Sequence, residues 1–247
     1  RPGPSTAAQS TSTPCTCSAP SAWCSAESPP ASRRKDPVAT GAALAQQMQH
    51  TDQVVLCFFG DGASSTGNFH ESLNMAGLWK LPVVYIVENN LYGIGTRIDR
   101  STAVLDQYQR VSGYNIPSAQ EDGQDVELVY KAATRAIKHV RSGKGPYFLE
   151  LMTYRYRGHS MSDSNAYRGK AEERMWSGRD PVIMLRDRLI DAGKLTLEQF
   201  KNMDTEILDE IEDDVIRFAA ESPEPPVSEV EKYVLAENDP WVRGGVQ

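Results

Sequence analysis

Val54-Val55-Leu56-Cys57-Phe58-Phe59 runs without a polar interruption into Gly60-Asp61-Gly62. A short apolar run that ends in turn residues reads as a strand buried on both faces, the kind found in a parallel sheet. Two further runs have the same form. Val83-Val84-Tyr85-Ile86-Val87 leads into Glu88-Asn89-Asn90, and Tyr147-Phe148-Leu149-Glu150-Leu151-Met152 leads into Thr153-Tyr154-Arg155-Tyr156-Arg157-Gly158-His159-Ser160. Phe69, Leu73 and Ala76 recur at helical spacing between the first two runs, and Val126, Val129, Ala133 and Ile137 do so before the third. The order strand, helix, strand, loop, helix, strand predicts an α/β fold with a parallel sheet flanked by helices.

Parallel strands put all their carboxyl ends at one edge of the sheet, where open α/β sheets bind ligands. Asp61, Asn90 and His159, far apart in sequence, are therefore expected to converge. A Gly-Asp-Gly triplet alone is an ordinary turn. A calcium loop beginning at Asp61 fails, because its sixth position is Thr66 instead of glycine and its last is Ser72 instead of glutamate. The pairing with Asn90 changes the chemistry. A hard cation such as Mg2+ takes oxygen ligands and shares them with phosphate oxygens; Asp61 offers a carboxylate, Asn90 an amide oxygen, and the loop after it a backbone carbonyl. Gly62 and Ala63, opening the next helix, can turn backbone N–H groups toward a diphosphate.

Gly60-Asp61-Gly62-Ala63 through Asn89-Asn90 resembles the thiamine diphosphate motif, a Gly-Asp-Gly followed after about thirty residues by paired asparagines. Phe69-His70-Glu71-Ser72-Leu73-Asn74-Met75-Ala76, Leu78-Trp79-Lys80-Leu81-Pro82 and Glu88-Asn89-Asn90-Leu91-Tyr92-Gly93 resemble, more narrowly, the α subunit of the first component of 2-oxo-acid dehydrogenase complexes. Tyr154 to Asp163, with Tyr167-Arg168 following, is similar to that family's active-site loop, most of all its pyruvate dehydrogenase version. Acetoin dehydrogenase is a near neighbour and the branched-chain enzymes a more distant one. The resemblance runs from about residue 37 to the C-terminus.

It implies thiamine diphosphate and Mg2+ as cofactors. Asp61, Asn90 and the backbone oxygen of Tyr92 would bind the metal, Gly62 and Ala63 the diphosphate, and His159 would approach the cofactor as the catalytic residue, with a loop-ordering role as its alternative. Arg155 and Asp163 are expected either to pair and hold the loop shut or to stay solvated. Ser160 matches a serine that is phosphorylated in mitochondrial relatives, where an added dianion would repel the diphosphate; the second such serine falls near Ala166. The family's catalytic glutamate comes from a β subunit. The resemblance thus implies an α2β2 heterotetramer, a lipoyl-bearing acyltransferase component that accepts the acyl group, and a small 2-oxo acid as substrate. The compartment implied is the bacterial cytoplasm, with mitochondrial matrix or plastid as alternatives. A non-catalytic remnant that only binds a β subunit is the reading from another class.

The 247 residues carry a formal net charge of −7, with 40% hydrophobic and 24% charged residues. These are globular proportions. The acidic balance lacks the basic footprint of a nucleic-acid or anionic-membrane partner, and no apolar run approaches the roughly 18 residues that span a bilayer. Three expected parts follow: a low-complexity segment 1–36, a thiamine diphosphate-binding domain 37–178, and a helical region with tail 179–247. In the last, Asp180-Pro181 reads as an N-cap followed by proline, Gly193 as a stop, and Thr196 with Gln199 as a capping box. Ile207, Leu208, Ile211, Val215 and Ile216 form an apolar stripe expected to pack in a core or, second, on a subunit.

Segment 1–36 is rich in Ser, Pro, Ala and Thr and holds three of the four cysteines, Cys15, Cys17 and Cys24. Such a stretch cannot offset its chain entropy by burial and reads as disordered. It lacks the second Cys/His pair of a zinc site, the apolar run of a secretory signal and the amphipathic face of a transit peptide. Family members carry more than a hundred residues before the counterpart of Asp36-Pro37-Val38-Ala39-Thr40-Gly41, so the expectation is an N-terminally truncated or frameshifted chain. With third bases chosen for it, a possible coding of Pro14-Cys15-Thr16-Cys17 reads Ser-Met-His-Leu in a shifted register, and one of Ala22-Trp23-Cys24-Ser25-Ala26-Glu27 reads Met-Val-Leu-Gly-Gly, similar to the Gly-Ser-Met-His and Gly-Ile-Val-Gly-Gly stretches of the family.

Overall fold

A computed structural model describes residues 35–229 together with the backbone of strand β1, Trp23–Cys24. The rest of the segment expected to be disordered, and the end of the C-terminal tail, lie outside the described residues. The chain divides into two compact units, residues 1–185 and 186–247. This division falls later than the expected boundary at 178.

The first unit is an α/β domain. Helix α1 (Lys35–Met48) leads to β2 (Val55–Gly60), α2 (Gly67–Trp79) and β3 (Val83–Asn89). A two-residue hairpin, β4 (Tyr92–Gly93) and β5 (Thr96–Arg97), precedes the short helix α3 (Gln107–Arg110). The chain continues through β6 (Ser118–Asp122), α4 (Val126–Arg141), β7 (Tyr147–Met152) and α5 (Lys170–Ser177). The sheet order is β1-β2-β3-β7-β6, every neighbouring pair parallel. All three apolar runs are strands, and β2, β3 and β7 are adjacent, as their burial on both faces requires.

Side-chain alternation sorts the sheet into two cores. Val55, Cys57 and Phe59 of β2, Val83, Tyr85 and Val87 of β3, and Phe148 of β7 pack with Phe69, Leu73 and Ala76 of α2 and with Ala39 and Ala43 of α1. Val84, Ile86, Leu149 and Leu151 face α4 on the other side. The buried face of α4 is Ala132, Ala136 and Val140, with Val129 and Ile137 at its margin, while Val126 is exposed. The expected stripe was therefore rotated by part of a turn: small alanines let the helix lie close to the sheet, and larger residues flank the contact. Strand β6 has no apolar signature, because Ser-Ala-Gln-Glu-Asp sits half-buried at the sheet edge, where among the described residues it pairs with β7 alone. Helix α1 begins at Lys35 with Asp36 buried, so the folded domain takes in the last residues of segment 1–36.

Helix α6 (Pro181–Asp191) is capped as expected, the Asp180 carboxylate accepting from the N–H groups of Val182 (2.9 Å) and Ile183 (3.3 Å), and Gly193 takes a positive φ of 65° at its end. In the second unit, α7 (Leu197–Glu210) opens on a complete capping box of Thr196 and Gln199. It passes into a π-helical segment, Ile211–Ile216, and then α8 (Arg217–Glu221). Ile207, Leu208, Ile211, Val215 and Ile216 are all exposed, so they form no core among the described residues. Among the described residues, no helix is long and apolar enough to cross a membrane.

Candidate functional site

The carboxyl ends of β2, β3 and β7 meet at one edge, in register Gly60 with Glu88 and Asn89 with Met152. Asp61 begins a 3-10 turn, Asp61–Ser65, so Gly62 and Ala63 lie in that turn and α2 starts only at Gly67. Asp61 is 4% exposed. Burial raises its carboxyl pKa above the usual value, an effect that hydrogen bonding to the backbone of Asp61 and Asn90 and the nearby Arg155 charge partly offset, while Glu150 adds to it. A buried carboxylate in this state gains from a cation. Asp61 and Asn90 are thus together, as their positions at adjacent strand ends required.

The loop after β3 is shaped by its own side chains. Asn89 Oδ1 accepts from the Leu91 N–H (3.0 Å) and Asn90 Oδ1 from the Tyr92 N–H (3.2 Å). Leu91 takes a positive φ of 68°, uncommon for a branched apolar residue, and so turns the chain sharply between Asn90 and Tyr92. The hairpin that follows brings Gly93 against Gly62: a methyl added to Gly62 would stand 3.3 Å from the Gly93 Cα. The two glycine backbones therefore approach closely, with no side chain between them. A carboxylate, an amide oxygen and a backbone carbonyl make an all-oxygen donor set, which suits Mg2+ shared with phosphate.

A second network holds the 3-10 turn from behind. The Arg110 guanidinium donates to the Ser64 carbonyl (3.1 Å), to Gln107 Oε1 (2.6 Å) and to Ser64 Oγ (3.2 Å). The Ser64 hydroxyl lies 2.6 Å from the Asp61 carbonyl oxygen. His70, whose pKa is lowered mainly by burial and then by Arg110, bonds the Tyr114 hydroxyl through Nδ1 at 2.6 Å. Nothing in the sequence pairs these residues, which come from four separate elements.

The loop after β7 folds back on the hairpin. Arg155 donates to the Ile94 carbonyl (2.7 Å) and to the Tyr167 hydroxyl (2.6 Å), and Tyr167 in turn donates to Asp163 Oδ2 (2.7 Å). Arg155 and Asp163 are thus linked through a tyrosine. Arg168 is buried against the rings of Tyr92 and Tyr154, 4.7 and 4.8 Å from their centroids, and bonds the Arg155 carbonyl. Tyr154 stacks on Trp176, and Tyr92 donates to Glu172 (3.3 Å), tying α5 to the hairpin. His159 is exposed beside Arg155, its Nδ1 3.5 Å from Nη1, farther out than the Asp61–Asn90 pair. Its backbone N–H donates to Asp163 (2.7 Å). Ser160 lies on the outer turn, 3.1 Å from the Ser162 hydroxyl.

An α/β domain with a buried acid beside an amide at the carboxyl edge of its parallel sheet, and an arginine–tyrosine loop folded onto the adjoining hairpin, is the class of protein this geometry defines. Residues 25–228 match the family model of the dehydrogenase E1 component, and the chain belongs to that family. It is similar to the pyruvate dehydrogenase E1 component subunit alpha of Rhizobium meliloti (strain 1021), with 49% identity over 197 residues, 79% of this chain and 56% of the relative. The somatic, mitochondrial form of that subunit from Sus scrofa is 43% identical over 214 residues, 85% of this chain and 54% of the relative. The testis-specific, mitochondrial form from Homo sapiens is 42% identical over 217 residues, 84% and 55% respectively. The chain spans about half the length of the curated relatives it matches.

Proposed function

We propose that this chain is the α subunit of a pyruvate dehydrogenase of the acetyl-transferring type, working with thiamine diphosphate and Mg2+. The observation that carries this reading is the convergence of buried Asp61 with Asn90 at adjacent parallel strand ends, with the backbone of Gly62 close against Gly93. Asp61, the Asn90 amide oxygen and the Tyr92 carbonyl would hold the metal, and the backbone of Gly62 and Ala63 the diphosphate. Thiamine diphosphate, when bound, supplies the electron sink for decarboxylation of the 2-oxo acid. The chain's own part is orientation and charge. Asp61 neutralises the cation, the tyrosine-walled loop carrying Arg168 excludes water, and His159 offers an imidazole for hydrogen bonding to diphosphate or substrate oxygens.

The partners in this reading are a β subunit, in an α2β2 assembly, that completes the site, and a lipoyl-bearing acyltransferase that takes the acetyl group. Calorimetry of the chain with a β subunit, Mg2+ and thiamine diphosphate tests it. Binding that Asp61→Ala abolishes is expected; absent binding, or binding that Asp61→Ala leaves unchanged, favours the non-catalytic remnant. Turnover of pyruvate against acetoin and branched-chain 2-oxo acids then fixes the substrate.

A further inference from the structure

Glu150 is a carboxylate in the middle of an apolar strand, Phe148-Leu149-Glu150-Leu151, and it is 0% exposed. An ionisable group withdrawn from water this far is kept only where donors surround it. Three do so. Asn89 donates from Nδ2 to Oε1 at 2.7 Å, and the Tyr108 N–H (3.0 Å) and Gln120 Nε2 (3.1 Å) donate to Oε2. One side chain therefore ties together the end of β3, the start of α3 and the edge strand β6.

The first of these contacts reaches the site. Asn89 has one amide with two ends. Its nitrogen is fixed on Glu150 and its oxygen accepts the Leu91 N–H at 3.0 Å, so the amide plane cannot turn without breaking one bond or the other. That oxygen holds Leu91 in its positive-φ conformation, and Leu91 separates the two residues whose oxygens face the proposed metal, Asn90 and Tyr92. Thr153 N–H also donates to the Asn89 carbonyl (2.9 Å), so the same residue anchors the start of the loop after β7.

We propose that Glu150, acting through Asn89, is a positioning residue for the metal-binding loop: it fixes the Asn89 amide, which fixes the turn at Leu91 and hence the separation of the Asn90 side-chain oxygen and the Tyr92 carbonyl. This rests on the Mg2+–diphosphate reading of the site. Supporting partners behind metal ligands commonly account for about 10- to 100-fold in metal affinity.

The test is calorimetric titration of Mg2+ with thiamine diphosphate into the full chain assembled with a β subunit, alongside circular dichroism and thermal melting. Asn89→Ala and Glu150→Gln are expected to weaken binding by about 10- to 100-fold. Leu149→Ala, a truncation one residue away on the opposite face of β7, lowers the melting temperature but leaves binding within about twofold of the parent, because it touches only the α4 core. If Glu150→Gln does not fold, Asn89→Ala carries the test, since it leaves Glu150 two of its three donors. Parent-like binding by Asn89→Ala while Asp61→Ala loses binding overturns the positioning role and leaves the metal reading standing. Equal weakening by Leu149→Ala also overturns it, as general loosening. Parent-like binding by Asp61→Ala overturns both.

Discussion

The Tyr167 hydroxyl donates to Asp163 Oδ2 across 2.7 Å while it accepts from Arg155 Nη2 at 2.6 Å, so a single phenol carries the link between the base and the tip of the loop. Asp163 also receives the backbone N–H groups of His159 and Asn165, and these bonds, with Tyr167, lower its pKa to about 2. A depressed carboxyl contributes above its unfolded value of 3.8 and loses that contribution only as pH falls through about 2. Backbone hydrogen exchange across residues 157–166 should therefore show no loosening between pH 8 and pH 5 beyond the intrinsic change. Tyr167→Phe, which keeps the ring against Tyr92 and removes the hydroxyl, should raise exchange there several-fold at pH 7 with little change in the melting temperature.

Asp36 is expected to work against the fold at neutral pH. Its carboxyl is buried in the first turn of α1, with Cys57 Sγ 3.6 Å from Oδ1 and no hydrogen-bond partner for Oδ2 among the described residues; burial raises its pKa to about 6, which the Cys57 hydrogen bond and the Lys35 charge only partly oppose. A raised carboxyl binds its proton more tightly when folded. Its stabilising contribution is thus full below 3.8 and lost as pH rises through about 6, at a cost of about 3 kcal/mol by pH 8. Asp36→Asn should raise stability at pH 8 by about 1 to 3 kcal/mol and flatten the pH dependence between 4 and 6. Denaturant unfolding at a series of pH values reads both.

Helix α2 approaches the turn at Tyr114 closely at Gly77, where an added methyl would stand 2.6 Å from the Tyr114 carbonyl oxygen. That oxygen is backbone and cannot swing aside. Gly77→Ala should cost about 1 to 3 kcal/mol despite the better helix propensity of alanine, because forced overpacking exceeds a propensity gain of about 1 kcal/mol. Thermal melting at constant pH measures it, and a stabilised variant would show that the contact relaxes.

Gly62 should respond differently. Its methyl would meet the Gly93 Cα at 3.3 Å, a distance that a few tenths of an ångström of movement in the hairpin relieves. Gly62→Ala is therefore expected to melt within about 3 °C of the parent, since a strain below about 1 kcal/mol shifts Tm little in a domain of this size. Its affinity for Mg2+ with thiamine diphosphate should fall about tenfold, because the displaced backbone is the part proposed to face the diphosphate.

The sequence alone determined the three buried strands and the helix after the first. Apolar runs this short and this uniform have few other ways to leave water, and Phe69, Leu73 and Ala76 can share a face only in a helix. Parallel pairing then put Asp61 and Asn90 at one edge, and the two asparagines after the Gly-Asp-Gly turn marked the candidate site. What the pattern could not supply was whatever depends on partners remote in the chain. Strand β6 is polar because it forms the edge of the sheet, so periodicity passed over it. Glu150 did leave a trace, as a lone carboxylate inside an apolar run, but that it grips Asn89, Tyr108 and Gln120 follows only from the lateral order of β3, β7 and β6. The linkage of Arg155 to Asp163 through Tyr167, and the burial of Arg168 among tyrosines, likewise required the loop to fold back on the hairpin. Local pattern fixes which residues must be buried or must turn, whereas hydrogen-bond partners are chosen by three-dimensional proximity, and that is set only when the sheet assembles.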